Sequence, residues 1–152
     1  MVSNLGGNRV LYVATADVSG DEDLARRVRE HRKRRPKAWE TVDATANLSG
    51  VFEEVADHDA VLVDSLALWV SDRMRASENR EEILRAFDAF LEAAGKAPMP
   101  LVLVSDEVGL GVIPESSAGR GFRDLLGLVN QRAAASAEEV HLCVAGLGLR
   151  IK

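Results

Sequence analysis

Short runs of apolar and β-branched residues recur along the chain, and several of them end in a polar residue. Residues 10–16, 60–64 and 101–105 have apolar side chains on both faces, which is typical of strands covered on both sides. Shorter extended segments are predicted at residues 39–42, 140–145 and 149–151. The chain is therefore expected to contain a buried sheet.

Between these runs the apolar residues recur every three or four positions. This spacing predicts helices over residues 21–34, 66–74, 81–94 and 122–137. Carboxylates at the start of the first segment favour a helix N-terminus, and Pro36 disfavours helical geometry at Arg35, so this helix should end near Arg34. Strands and helices thus alternate.

Alternation of buried strands with helices predicts an α/β fold with a mainly parallel sheet and helices on both faces. The 152 residues, 47% of them hydrophobic, suffice for one well-buried core, so we expect a single domain over residues 1–152. In such sheets ligands bind beyond the carboxyl ends of the strands. Those ends carry the polar residues Thr15, Asp17, Asp64, Ser65, Ser105, Asp106 and Glu107.

Charge and composition narrow the possible functions. The net charge of −5 argues against a general binder of nucleic acid or of anionic membranes. No apolar run approaches the ~20 residues that a membrane span needs, and no secretory signal begins the chain, so we expect a cytoplasmic protein. The single cysteine, Cys143, excludes an internal disulfide and a closed cysteine-based zinc site, and we expect it to be a small buried thiol.

A basic segment surrounds one of the three histidines. Eight Lys or Arg residues lie within residues 26–37, around His31. The segment could be a solvated helix end, where cations are mildly stabilising. Alternatively, the arginines could bind phosphate while His31 carries a phosphoryl or nucleotidyl group as a covalent intermediate. A nucleic-acid patch is a weaker third interpretation, since only Trp39 offers a nearby aromatic ring.

Asp64 ends the strand of "VLVDSLALW" and has two possible roles. A carboxylate there commonly holds Mg²⁺ in nucleotide-binding folds. It could instead cap the following helix, as Ser65 also could. Both roles are compatible if Asp64 binds the metal and Ser65 is the cap.

The stretch "VSDEVGLGVIPES" combines two acids, Asp106 and Glu107, with two glycines, Gly109 and Gly111. A long connection of this composition is typical of a functional loop. It does not match the dinucleotide-binding pattern, which fails at Pro114.

Several other polar residues have ordinary structural interpretations. Arg123 could hold a phosphate, as could Arg120, or form a surface ion pair with Asp124. His58 is interpreted as a solvated turn residue, and His141 as a residue satisfied inside the fold or at a sheet edge. Neither histidine lies near a serine or cysteine signature, so a hydrolase triad is not expected.

Five stretches together resemble a known family. They are "VLYVATA", "HRKRRPKAWETVDA", "VLVDSLALWVSD", "LVLVSDEVGLGVIPES" and "GRGFRDLLGLVNQRAAASAEEVHLCVAGLGLRIK". Their sequence and order resemble the bifunctional adenosylcobinamide kinase and adenosylcobinamide-phosphate guanylyltransferase of cobalamin biosynthesis. The resemblance implies a P-loop-type parallel α/β protein that forms a homo-oligomer, with a trimer as the expected count.

The resemblance also implies an activity and its site residues. The family phosphorylates adenosylcobinamide with ATP or GTP and then transfers GMP from GTP, through a guanylylated histidine, to adenosylcobinamide phosphate. Mg²⁺ is the expected metal. Carried over by motif, His31 resembles the guanylylated histidine, Asp64 resembles the acid near Mg²⁺, and the nucleotide-binding positions are Thr15, Asp17, Arg32, Arg35, Glu107 and Gly109.

This sequence departs from the family pattern at its beginning. The family opens with a strand, a phosphate loop of the type Gly-Gly-x-x-Ser-Gly-Lys-Ser and a helix, whereas nine residues without a lysine precede Val10 here. The Gly6–Gly7 pair is interpreted as a turn. We therefore expect a P-loop-NTPase-like fold without the first strand, phosphate loop and first helix, and unpaired strand edges in its place.

The same departure qualifies the predicted activity. Without the phosphate loop, kinase activity is not expected, because the loop's backbone cradle and lysine hold the phosphates. Asp106 replaces the family's Asn, and Ala67 stands where Thr is usual. The alternative is a catalytically defective homologue that acts as a corrinoid-binding or regulatory protein.

Overall fold

The computed structural model describes residues 9–44, 47–53, 55 and 57–152. Their elements, in chain order, are β1 (Val10–Ala14), α1 (Glu22–Lys33), β2 (Glu40–Asp43), a 3₁₀ helix (Ser49–Glu53), β3 (Ala60–Asp64), α2 (Leu66–Arg75), α3 (Arg80–Ala94), β4 (Leu101–Val104), α4 (Ser117–Ser136), β5 (His141–Val144) and β6 (Leu147–Arg150).

Four strands form a parallel sheet in the order β2-β1-β3-β4. β1 and β3 are central and fully paired, with Tyr12 opposite Leu62 and Ala14 opposite Asp64. Within the described residues, β2 and β4 are the edges of this sheet. The predicted α/β fold with a mainly parallel sheet is confirmed.

Alternation along the central strands divides the core between two faces. On one face, Leu11, Val13, Val61 and Val63 belong to the main core cluster together with buried residues of α2, α3 and α4. On the other face lie Val10, Tyr12, Ala14, Ala60 and Leu62, with Trp39 packed beside them. α1 lies on this second face, because His31 contacts Tyr12. Helices therefore cover both faces, as predicted.

Polar caps explain where the helices begin. Asp21 accepts a hydrogen bond from the Leu24 amide, and Asn79 forms a reciprocal capping box with Glu82. α4 begins at Ser117, five residues before the predicted start, because Ser116 caps it by accepting a bond from the Gly119 amide. A Cβ at Gly119 would lie 2.8 Å from the Pro114 Cβ, so glycine is required at this close approach.

The structure of the C-terminal strands differs from the sequence prediction in two respects: their pairing and the exposure of Cys143. β5 and β6 form a separate antiparallel hairpin, and its turn has positive φ at Ala145 (51°) and Gly146 (80°), as tight two-residue hairpin turns require. Cys143 was expected to be buried, but it is exposed. The apolar composition of residues 140–145 suggested a core strand, whereas β5 pairs only with β6 among the described residues.

The predictions for the beginning of the chain are not addressed by this fold. Gly6–Gly7 and the expected absence of a first strand, phosphate loop and helix concern positions before Arg9, outside the described residues. Across the described part of the chain, no helix has the length and apolar character needed to cross a membrane.

Replacing Phe87 by Ala should lower the free energy of unfolding by about 3–5 kcal/mol, because it removes a fully buried ring that packs against Trp69 and Phe90. Urea denaturation followed by circular dichroism measures the change. Leu110→Ala, at a side chain that is 83% exposed, is the control and should change stability by less than about 0.5 kcal/mol. Equal effects of the two substitutions would contradict this description of the core.

Candidate active site

The centre of the site is a contact between the two central strands. Because Tyr12 lies opposite Leu62 and Asp64 follows two residues later, Tyr12 and Asp64 are diagonal neighbours on the same face of the sheet. The Tyr12 hydroxyl donates a hydrogen bond to Asp64 Oδ2. The strand-end carboxylate is thus held in place by a side chain of the adjacent strand.

His31 joins this pair from the last turn of α1. Its Nδ1 atom lies 3.3 Å from the Tyr12 hydroxyl oxygen and 4.0 Å from Asp64 Oδ2. The His31 side chain is 55% exposed, so part of the ring remains accessible to a ligand. The structure therefore brings together the predicted catalytic residue and the predicted metal ligand, with Tyr12 between them.

Arg35 covers the tyrosine ring. Its guanidinium carbon lies 3.3 Å from the ring centroid of Tyr12, and its Nη1 donates a hydrogen bond to Thr41 Oγ1 at 3.0 Å. The buried Nε of Arg35 has no hydrogen-bond partner among the described residues. Arg35 therefore holds Tyr12 in place and keeps one donor unused.

The rest of the basic segment is divided between paired and unpaired cations. Arg26 and Arg27 both pair with Asp23, and Lys33 pairs with Glu30. Arg32 is exposed, and its side chain has neither a hydrogen bond nor an ion pair within the described part of the chain. The paired cations fit a solvated helix surface, whereas the exposed side chain of Arg32 is available to an anion.

Thr15 is a buried structural residue in this arrangement. Its hydroxyl donates to the Ser65 carbonyl at 2.7 Å and accepts from the Ser65 amide at 2.8 Å. The side chain of Ser65 caps α2 by accepting from the Leu68 amide. Of the two proposed caps, Ser65 is the one that the structure contains, and the Asp64 carboxylate points to Tyr12 instead.

Asp17 is anchored to α2 rather than to the His31 cluster. Its amide donates to Asp72 Oδ2 at 2.9 Å, and its own carboxylate accepts from the Ser19 amide at 2.9 Å. Hydrogen bonds from the Ser19 side chain and backbone lower the pKa of Asp17. This carboxylate is therefore held as an anion in the loop after β1.

Glu107 and Gly109 form a turn of their own after β4. Glu107 Oε1 accepts from the Gly109 amide at 2.7 Å, and a Cβ at Gly109 would lie at the same distance from that oxygen. Asn130 of α4 orders the start of the turn by bonding Ser105 and the Asp106 carbonyl. No hydrogen bond or ion pair within the described residues joins this turn to His31.

Beside that turn is an open depression of about 430 Å³. Its lining includes Gly109, Arg80 and Arg123, so two cations face the space next to the glycine. Arg120 donates instead to the carbonyls of Pro114 and Glu115. Of the two arginines considered for phosphate binding, Arg123 is therefore the one that lines this depression. Asp124 lines it too, and its Oδ1 lies 3.9 Å from Arg123 Nε, which is the surface ion pair considered as the alternative.

Sequence reasoning missed Tyr12 and misplaced His58. Tyr12 is 3% exposed and belongs to an apolar strand, so its sequence context resembles that of a core residue. The feature that could have revealed it is the single polar hydroxyl two residues before the end of this buried strand. His58 was expected to be solvated, but its side chain is 10% exposed and its Nε2 lies 3.1 Å from Glu40 Oε2. This partner on β2 lies 18 residues away in the sequence.

The donor set suits Mg²⁺ better than a metal that needs a protein cage. Within the described residues, no group of three or more His, Cys, Asp and Glu side chains could hold a metal ion. Mg²⁺ usually takes one or two carboxylates and completes its shell with phosphate oxygens and water. Asp64 at the strand end fits that requirement.

Comparison with known proteins identifies the family. The family model described as cobinamide kinase / cobinamide phosphate guanyltransferase matches residues 2–151. The chain belongs to this family. It is 37% identical over 157 residues to the bifunctional adenosylcobalamin biosynthesis protein CobU of Salmonella typhimurium (strain LT2). The alignment covers 95% of this chain and 86% of the relative.

Two further relatives agree. The CobU protein of Escherichia coli (strain K12) is 34% identical over 158 residues, covering 95% of this chain and 87% of the relative. The CobP protein of Pseudomonas aeruginosa (strain PAO1) is 35% identical over 147 residues, covering 96% and 84%. All three relatives are named bifunctional adenosylcobalamin biosynthesis proteins. The resemblance noted from the sequence is confirmed.

Replacing Thr15 by Val should lower the free energy of unfolding by about 1–3 kcal/mol, because the buried amide and carbonyl of Ser65 would lose their hydroxyl partner. Urea denaturation measures the loss. Thr41→Val is the matched control on β2 and should cost less, since water can replace its bond to Arg35. Unchanged stability in Thr15→Val would show that Thr15 has no structural role.

Tyr12, the only tyrosine in the chain, should resist ionisation in the folded protein. Burial, the hydrogen bond to Asp64 and the charge of that carboxylate raise the pKa of Tyr12 well above its usual value, and Arg35 opposes them. Unfolded, the phenol should titrate near pH ~10. Its contribution to stability is therefore fully present below that pH and is lost as the pH rises further.

The tyrosinate absorbance of the chain, followed with and without urea, measures this difference, while circular dichroism confirms that the sample without urea remains folded. Tyr12→Phe supplies the baseline. A midpoint near pH ~10 in the folded protein would contradict the buried, hydrogen-bonded phenol.

Proposed function

We propose that this chain is a cobinamide-phosphate guanylyltransferase-like protein of adenosylcobalamin biosynthesis, in which His31 accepts GMP from GTP. The observation that carries the proposal is the position of His31. Its half-exposed ring stands at the end of a basic helix and beside Asp64, the carboxylate at the end of a central strand. Family membership supplies the substrate class.

The proposed transfer has two steps. In the first, a lone pair on the His31 ring attacks the α-phosphorus of GTP, an N–P bond forms, and the bond to the β-phosphate oxygen breaks to release pyrophosphate. In the second, a phosphate oxygen of adenosylcobinamide phosphate attacks the same phosphorus and the N–P bond breaks. The histidine then recovers its lone pair, and the product is adenosylcobinamide-GDP.

The cations of the site support this chemistry. Arg32 follows His31 in α1 and has an exposed side chain without a partner among the described residues, and the Arg35 guanidinium lies over the ring of Tyr12, which contacts His31. Both could stabilise the charge on the phosphate oxygens as the N–P bond forms. Asp64 would hold Mg²⁺, which when bound supplies additional positive charge at the phosphates.

The other predicted nucleotide-binding residues enter the proposal differently. Thr15 would act by holding Ser65 next to Asp64, since its hydroxyl is already used. Asp17, Glu107 and Gly109 lie in the loops after β1 and β4, where a nucleotide would meet the carboxyl ends of the strands. Their roles stay predictions.

The kinase reaction, the assembly and the compartment remain further expectations. The kinase reaction depends on a phosphate-binding loop, whose place in the family precedes Arg9 and lies outside the described residues. We further propose a homo-oligomer, with a trimer as the subunit count to test; the exposed apolar side chains Val144, Leu147 and Leu149 of the β5–β6 hairpin support a subunit contact. A cytoplasmic location stays a prediction.

Incubation with GTP radiolabelled at the α-phosphate, together with Mg²⁺, should attach label covalently to the wild-type protein, and His31→Ala should abolish the labelling. The label should be acid-labile, as expected for a phosphorus–nitrogen bond. His141→Gln is the matched control and should retain the label, because His141 lies on the separate hairpin beside Glu139.

Absence of label from folded wild-type protein would contradict guanylyl transfer by this chain. Calorimetric titration then distinguishes the alternative function: binding of adenosylcobinamide phosphate without binding of Mg²⁺-GTP would indicate a corrinoid-binding protein that has lost catalysis.

A further inference from the structure

The Tyr12 hydroxyl lies between the two functional side chains of the site. It donates to Asp64 Oδ2, and its oxygen lies 3.3 Å from His31 Nδ1. We propose that Tyr12 is a positioning residue that accepts the Nδ1–H of His31 and so leaves the lone pair on Nε2, making Nε2 the attacking atom. The identity of the electrophile rests on the proposed function, but the proton arrangement does not.

The inference follows from counting protons. A tyrosine hydroxyl has one proton, and an ionised carboxylate can only accept hydrogen bonds. The hydroxyl proton is therefore used in the bond to Asp64. The tyrosine oxygen can then only accept a further hydrogen bond. A hydrogen bond between Tyr12 and His31 therefore requires that His31 Nδ1 carry the proton. A neutral imidazole with its proton on Nδ1 has its lone pair on Nε2.

The tyrosine is held rigidly enough to impose this choice. Arg35 stacks on its ring at 3.3 Å, Trp39 packs beside it with centroids 6.3 Å apart, and the side chain is 3% exposed. The hydroxyl oxygen therefore stays within reach of both Asp64 and His31. Rotation of the O–H bond towards His31 would leave the Asp64 carboxylate, which can only accept, without this donor. His31, which is half exposed, is the partner that adapts.

The arrangement also serves the transfer step. When Nε2 donates its lone pair to the α-phosphorus, the ring gains positive charge, and the Nδ1 proton stays hydrogen-bonded to the tyrosine oxygen. The Asp64 carboxylate, 4.0 Å from Nδ1, lies near that charge. On return of the lone pair to Nε2, the starting proton arrangement is restored.

The three histidines of the chain allow an internal comparison. His58 and His141 each place Nε2, not Nδ1, at 3.1 Å from a carboxylate oxygen, of Glu40 and Glu139 respectively. In their neutral forms these two rings should carry the proton on Nε2. His31 should carry it on Nδ1, so one ring is expected to show the opposite tautomer.

Nitrogen-15 NMR of protein labelled at histidine, recorded once the ring signals no longer change with rising pH, distinguishes the tautomers without any nucleotide. His31→Gln assigns the His31 signals. We expect a protonated Nδ1 for His31 and a protonated Nε2 for the other two. A His31 ring protonated on Nε2 would overturn the proposal, even if no variant of Tyr12 could be folded.

Tyr12→Phe keeps the ring for Arg35 and Trp39 and removes only the hydroxyl. The Nδ1–H preference of His31 should be lost, while the His58 and His141 signals should not change. The rate of covalent labelling by GTP should fall roughly 10- to 100-fold, with little change in the GTP concentration that gives half the maximal rate. An unchanged His31 tautomer in Tyr12→Phe would refute the positioning role.

The positioning role of Tyr12 and the guanylyl transfer by His31 can be contradicted independently of each other. If wild-type His31 shows the Nδ1–H tautomer and Tyr12→Phe abolishes it, the positioning role is supported whether or not GTP labels the protein. Absence of labelling in that case contradicts only the proposed guanylyl transfer.

Discussion

The parallel pairing of β1 with β3 is the interaction on which the site depends. Its register sets Ala14 opposite Asp64 and Tyr12 opposite Leu62, and the period of two then places the phenol and the carboxylate on one face. A shift of one residue would send Asp64 to the opposite face. Thr15 secures the same register by binding both backbone groups of Ser65.

The two faces of the sheet differ in packing and in polarity. The face that packs against α2, α3 and α4 contains the large fully buried side chains, including Trp69, Phe87 and Phe90. The other face holds a smaller cluster with a polar margin formed by Tyr12, Asp64 and residues of α1. Because the larger cluster packs the three helices together, the second face can keep a partly exposed histidine among cations.

Much of the fold was predictable because its patterns are local. The two central buried strands, the apolar face of α3 and the end of α1 before Pro36 follow from side-chain spacing and backbone sterics. β4 was also expected to be covered on both sides, but it is an edge strand whose residues are half-buried or exposed. The errors arose where partners are distant. Cys143 and His58 were assigned opposite environments to those observed, since the hairpin around Cys143 and the contact of His58 with Glu40 depend on tertiary placement.

The sequence by itself determined the fold class and the family, and it pointed to His31 and Asp64 as candidate site residues, because motifs and periodicity are properties of neighbouring positions. It could not reveal Tyr12 as the link between them: within VLYVA this residue looks like any other member of a buried strand. Only the tertiary structure, by pairing two strands fifty residues apart and laying α1 across them, placed one hydroxyl between a carboxylate and an imidazole.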